Sequence, residues 1–326
     1  MAITAGNNAT LQVGAQSNWS TAVAPTVQIE FTREDLKYLP NYIESDALTG
    51  ARTTDRMDIS GIKIEGSWEQ IVNPDNIGIL LSACLGAEAD PADVDSSAVY
   101  DHLFTPISAN VASSLPKLTT VIDRIVGVFG YIGCKIDSMS LAAQTQDYLR
   151  ATFNVRGYDE QSDALESLSA SSKRPFQFVD GNVTIDAGDY ADITSFSMNY
   201  SNNLESDLFT LNGETKMQEI EPQKRDITFN LETLYSTATN STRTDDFKAG
   251  DTVALVATFT STEEVLTGKY YTLTVSAPNC YITDCNPSVS GPERLRMSMS
   301  LKAVETGGES PVTITLRDGN ASKHIA

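Results

Sequence analysis

The chain has 326 residues, and 43 Asp and Glu against 23 Lys and Arg leave a formal net charge of −20. That balance excludes ordinary nucleic-acid binding, which gains affinity by neutralising phosphates with cations. It also disfavours an anionic membrane surface, and no apolar run approaches the ~18 residues of a membrane-spanning helix.

Residues 1–24 are small and polar and read as an N-terminal arm, without the basic start and apolar run of a signal peptide. From Val27 the pattern turns to period two, and Ile62, Ile64, Gly66 and Trp68 alternate with Lys63, Glu65, Ser67 and Glu69. Strict alternation predicts half-buried strands. Asn73 as N-cap, Pro74 at the first turn, apolar Ile77, Leu80, Leu81 and Cys84, and Gly86 at the end predict one helix. An acidic loop with Asp90, Asp93, Asp95 and Asp101 follows; it lacks the calcium-loop pattern and reads as solvated. Strands are expected again near 119–128, 130–136 and 148–158. A serine-rich stretch, 161–174, reads as a linker.

The second half repeats the first. Cys134-Lys135-Ile136 and Leu149-Arg150 recur as Cys280-Tyr281-Ile282 and Leu295-Arg296, at a constant offset of 146. Glu44-Ser45-Asp46 recurs as Glu205-Ser206-Asp207, and the Lys63/Glu65/Ser67/Glu69 face as Asp226/Thr228/Asn230/Glu232. Matched blocks in one order point to a duplicated unit. In the second copy the helix looks degraded, ending quickly after Asp245-Asp246-Phe247 at Gly250.

Candidate chemistry is sparse. His102 and His324 are the only histidines, which leaves little for acid–base catalysis near neutral pH, and the expectation is a non-enzyme. Cys84, Cys134, Cys280 and Cys285 lack paired zinc spacing and read as reduced, buried thiols. No phosphate-cradling glycine motif is present, so neither cofactor nor metal is expected.

Several stretches together resemble the tail tube proteins of long-tailed, siphovirus-type bacteriophages. They are Val13-Gly14, Phe31-Thr32-Arg33-Glu34-Asp35-Leu36, Asn41 to Ser45, Thr49 to Arg52, Pro175 to Phe178, Ile193 to Phe196 and Asn202 to Glu205. The resemblance spans nearly the whole chain, with a long insertion at 87–116. It implies a mainly β chain of two tandem antiparallel β-sandwich or barrel domains, each with a short flanking helix. The divisions are an arm at 1–24, a first repeat at 25–160, a linker at 161–174, a second repeat at 175–318 and a tail at 319–326. It further implies a structural virion protein that self-assembles in the host cytoplasm into stacked homotrimeric, pseudo-six-fold rings forming the tail tube. Its partners would be other copies, tape measure protein and DNA in the lumen, and tail terminator and tail tip proteins, with no membrane. A tail terminator or adaptor ring, or a carbohydrate-binding adhesin, is the alternative. Glu65, Glu69, Asp226 and Glu232 are expected to face the lumen as an acidic wall. Arg150, Arg156, Arg296 and Lys302 are expected in subunit contacts or paired with the acidic rows. The polar loops 41–58 and 202–221, with Glu44, Ser45, Asp46, Arg52, Glu205, Ser206 and Asp207, are expected to connect rings.

Overall fold

A computed structural model describes residues 6–50, 52–108, 114–189, 192–235, 239–287 and 294–325. Residues 1–5 of the expected arm, 109–113 of the insertion and Ala326 of the tail therefore lie outside the described residues. The first half runs β1 (Thr10–Gln16), β2 (Val27–Ile29), β3 (Phe31–Glu34), β4 (Lys37–Glu44), β5 (Met57–Ile71) and helix α1 (Ile77–Leu85). It continues with β6 (Gly86–Glu88), β7 (Ala92–Asp93), β8 (Tyr100–Pro106), β9 (Lys117–Asp123), β10 (Val128–Gln144), β11 (Arg150–Gly157) and β12 (Asp159–Ser162). The second half adds β13 (Gly181–Ile185), β14 (Gly188–Asp189), β15 (Ile193–Ser201), β16 (Asp226–Leu234) and helix α2 (Thr239–Ala249). It closes with β17 (Thr252–Leu266), β18 (Lys269–Asp284), β19 (Arg296–Ala303) and β20 (Thr313–Asp318).

One antiparallel sheet runs through both halves in the order β3/β4, β5, β11, β10, β15, β16, β19, β18. Each half supplies four strand positions in the same order, and the halves join where β10 pairs β15, from Ser138↔Ser201 to Gln144↔Ser195. This inner sheet is open: among the described residues, β3/β4 and the 282–284 end of β18 have a neighbour on one side only. Its apolar face, including Trp68, Phe153, Met139, Met198, Phe229 and Met299, is buried in a core continuous across the halves.

Outer strands cover that face. In the first half they are β2, β1, β9, β10 and β12. In the second they are β14, β13, β17, β18, β20 and β8, with β6 and β7 on β8. The long strands β10 and β18 belong to both layers, pairing with outer strands through their N-terminal parts and with inner strands through their C-terminal parts. Each changes layer at an irregularity, between Tyr131 and Cys134 in β10 and between Ala277 and Cys280 in β18, as corner strands of sandwiches do.

Four expectations need correction. The arm is not irregular: β1 lies inside it, between β2 and β9, because Leu11 and Val13 point into the core while Gln12 and Gln16 are buried with hydrogen bonds. Asn73 does not cap α1; its amide donates to Glu30 Oε2 at 2.5 Å, and the helix starts after Asn76. Gly86 does close α1, with φ +91°, and every residue of that apolar helix is buried. The second helix is not degraded: α2 has 11 residues against 9 in α1, but it is polar and shows no apolar stripe.

The stretch 161–174 also differs from a loose connection. Gln161 and Ser162 are in β12, and the rest is strapped down. Gln12 exchanges two 2.9 Å hydrogen bonds with the Glu166 backbone, Ser171 donates to Asp75 at 2.6 Å, and the Arg174 amide donates to Glu263 at 2.7 Å. The insertion finds its partners in the other half: β8 pairs β20, from Phe104↔Ile314 to Tyr100↔Asp318.

The corner in β10 requires Gly133. Its φ is +65°, and a Cβ there would lie 2.5 Å from the Trp19 carbonyl oxygen. Gly133→Ala should lower stability by ~2–4 kcal/mol, read as a shift in urea midpoint. Gly268→Ala, at φ +76° with nothing within 4 Å, should cost ~1 kcal/mol. Equal shifts would mean that the corner imposes no steric requirement.

Candidate assembly surface

The inner sheet turns a polar face to solvent across all its strands. Period-two side-chain direction puts Glu65 and Glu69 of β5 and Asp226 and Glu232 of β16 on this face. Ile64, Trp68, Ile227 and Phe229, the intervening residues, are buried behind it. Hydroxyl and amide side chains fill much of the rest, including Ser138, Thr152, Asn154, Asn199, Asn230 and Ser298.

Cations from neighbouring strands share the face. Glu69 lies 3.1 Å from Arg150 and 3.2 Å from Arg33, Glu232 lies 4.0 Å from Arg296, and Asp226 lies 2.5 Å from Lys302. Glu65 stands opposite Arg156 in register, and Arg156 is 3.3 Å from Asp137. The Glu69–Arg150 pair and the Glu232–Arg296 pair occupy equivalent places in the two halves, at the offsets 163 and 146 read in the sequence. Of the two roles open to Arg150, Arg296 and Lys302, pairing with the acidic rows is present within the chain. The surface is a balanced, ion-paired face and not an acidic wall. The acidic strands are alternated with cationic strands of the same phase, so most of the −20 charge resides elsewhere.

The two loops have unlike environments. Residues 41–44 and 57–58 of the first are strand, so the loop proper is the hairpin tip 45–56. The Ser45 amide donates to the Arg56 carbonyl at 3.0 Å, and Thr54 donates to Glu44 at 3.1 Å. Asp46 and Arg52 are exposed near the tip with Leu48, and Tyr42, Ile43, Met57 and Ile59 on the arms are also exposed. The second loop, 202–225, folds back on the first half. Its Asp207 pairs with Lys63 and accepts from Ser206 at 3.0 Å, and the Ile62 amide donates to the Thr215 carbonyl at 2.8 Å. Glu205 ties the loop to itself, its amide donating to the Glu221 carbonyl at 3.4 Å.

A buried cation locks this second loop. Lys135, with no exposed side-chain surface, lies 2.9 Å from Glu219 and 3.8 Å from Glu221 and donates to the Ile220 carbonyl at 2.7 Å. Glu219 also lies 2.9 Å from Lys117 and accepts from Ser114 at 2.8 Å. Trp19 stands over the Lys135 ammonium at 5.5 Å and donates through Nε1 to the Met217 carbonyl at 3.3 Å. Burial lowers the Lys135 pKa. Burial also opposes ionisation of Glu219, but hydrogen bonds from Lys117, Lys135 and Ser114 outweigh it and hold the carboxyl at about 2. The loop residues forming this lock carried no motif; the only sequence signal was Lys135 in a strand of otherwise apolar residues.

A family model described as phage tail tube protein matches residues 6–317 of the chain. A comparison with curated proteins returned no match.

The Glu219 lock has a defined acid limit. Its pKa is depressed from an ordinary 4.5, so its stabilisation is complete above about 4.5 and is lost as pH falls towards about 2. Hydrogen exchange at the 217–220 amides should accelerate across that window while the core strands stay protected. Glu219→Gln should flatten that dependence and cost ~1–2 kcal/mol at pH 7, a figure reduced for the exposure of the carboxylate. A pH dependence unchanged in the variant would assign the transition to other groups.

Proposed function

The chain belongs to the phage tail tube protein family, and from that premise we propose a duplicated subunit that assembles as three-membered rings stacked into a hollow tail tube for DNA delivery. The observation that carries this reading is the β10–β15 junction. It joins the last inner strand of one half to the first inner strand of the next, while the same two kinds of edge stay open at the ends of the sheet. An open edge invites pairing with another chain. Repeating the junction between subunits, β18 of one copy against β3/β4 of the next, continues the sheet around a ring.

Size favours three copies. With strands ~4.8 Å apart and tilted by ~40°, three eight-stranded sheets close at a backbone diameter of about 48 Å. Side chains then leave an opening of about 40 Å, enough for a hydrated duplex, whereas two copies leave about 24 Å. The polar face would line this channel, with Glu65, Glu69, Asp226 and Glu232 towards the lumen. Its hydroxyls and paired ions offer DNA no run of free cations, so counterion release gains little and the duplex stays mobile. The hairpin tip with Glu44, Ser45, Asp46 and Arg52 serves as the ring-to-ring connection. Loop 202–225, with Glu205, Ser206 and Asp207, braces the subunit and meets the neighbouring ring only through its exposed turn at Leu211.

In this reading the protein is a structural component of the virion tail and not an enzyme. Tape measure protein and then DNA occupy the lumen, and terminator and tip proteins close the two ends. Trp68 is buried and Trp19 is engaged by the second loop, so neither supplies the exposed stacking platform that a sugar-binding adhesin would use.

Electron microscopy of the purified protein tests the proposal. The expected result is long hollow tubes with three chains per ring and the hydroxyl-rich face inward; six chains per ring, or that face outward, would overturn it. Replacing residues 46–55 by an Asn-Gly turn between Ser45 and Arg56 should leave folded rings that no longer stack. Tubes at normal yield would remove the tip from the stacking role.

A further inference from the structure

Both histidines of the chain meet in one buried cluster. Glu88 comes from β6, His102 from β8 and Asp318 from the end of β20, and His324 lies six residues beyond Asp318. The side chains of His102, Glu88, Asp318 and His324 are 0, 2, 6 and 9% exposed. The imidazoles cross edge to face, with ring centres 4.4 Å apart. The two rings point the same way: Nδ1 of His102 and Nδ1 of His324 face the same Glu88 oxygen, Oε1, at 2.9 and 3.0 Å. Their Nε2 atoms face the two oxygens of Asp318, at 3.1 and 3.2 Å, and the Asn320 carbonyl lies 2.9 Å from Nε2 of His102.

We propose that Glu88 and the Nδ1 atoms of His102 and His324 bind a divalent transition-metal ion of the zinc class, with Asp318 orienting both imidazoles from behind. The chemistry of the donors supports the assignment: two imidazole nitrogens and one carboxylate suit zinc-class ions and not calcium or magnesium, which take oxygen ligands. The layered arrangement does as well. A metal-bound histidine passes its other ring N–H to a carboxylate or carbonyl, and here one carboxylate serves both rings. Bonds of ~2.0–2.2 Å at tetrahedral angles separate ligands by ~3.3–3.6 Å, so the 2.9 and 3.0 Å spacings need open by only a few tenths of an ångström. The second oxygen of Glu88 can supply a further bond.

Charge balance is met too. A doubly charged ion offsets Glu88 and Asp318, so the buried cluster is neutral with both imidazoles neutral. His324 covers Gly78 of α1, where a Cβ would collide with its imidazole ring. Lifting the 319–325 segment would open the site, and the bound ion would fasten that segment to β6 and β8.

The test is calorimetric titration of the full chain, treated with chelator and dialysed, with zinc chloride at pH 7.5 in two buffers of different ionisation enthalpy. Expected are one ion per chain, a Kd of about 1 μM or tighter, and a Tm that rises with zinc. His324→Gln and Glu88→Gln should each weaken binding at least ~10-fold, with folding of the variants checked by circular dichroism. Absence of binding by the natural chain at ~100 μM zinc would overturn the proposal and leave a self-neutralised ion quartet. One-site binding retained in both variants would overturn it equally. If the variants do not fold, the natural chain's stoichiometry and Tm response decide.

Discussion

Seven residues of antiparallel pairing between β10 and β15 set the form of this molecule. They hold the halves in one sheet, so the alternation of one half must continue in phase into the other; a slip of one residue would turn the apolar side chains of a whole half towards solvent. In-phase joining makes one polar surface and one apolar surface, and the core behind them becomes continuous. It also brings the start of the second half against the end of α1. The buried Asn202 side-chain amide donates to the Cys84 carbonyl at 2.9 Å and to the Ile136 carbonyl at 3.0 Å, satisfying one carbonyl of the last turn of α1 from the other half.

The same joining explains the electrostatics. A chain with this excess of carboxylates repels itself, yet its broadest regular surface is nearly balanced. Glu69 with Arg150 and Glu232 with Arg296 repeat one pairing across the halves. Such exposed pairs contribute little stability. Their effect is on what the surface attracts: a polyanion meets hydroxyls and occupied cations.

Much of this was legible in the sequence because strands declare themselves by period two. β11 and β19 put apolar residues on one side for their full length, as do β5 from Ile62 to Trp68 and β16 from Ile227 to Leu231, and offset matches located their equivalents. Elements that break the pattern for a local reason were hidden. β1 buries glutamines with hydrogen-bond partners on the face opposite Leu11 and Val13, so its polar positions look exposed in the sequence. α2 is helical without an apolar stripe, anchored by partly buried Phe247 and by Arg243, which pairs with Asp186 and lies 3.0 Å from Asp246. The unlike roles of the two loops were hidden as well, because Glu-Ser-Asp occurs in both and only the fold shows Asp207 against Lys63. The histidine cluster had no local signature: its ligands come from stretches more than 200 residues apart, and spacing rules see only neighbours.

The placement of β8 on β20 bears on how the chain acquires its structure. β8 is made early, yet its ladder partner is among the last strands synthesised, with Leu103 pairing Thr315 across more than 200 residues. Closing so long a loop is slow, and folding rate falls as such distant contacts accumulate. Until β20 emerges, the nascent chain carries β8 with a free edge beside an incomplete core, the kind of surface through which partly folded chains associate wrongly. Many copies made together would share that hazard, and the acidic character of the chain gives them mutual repulsion during the interval before the last strand docks.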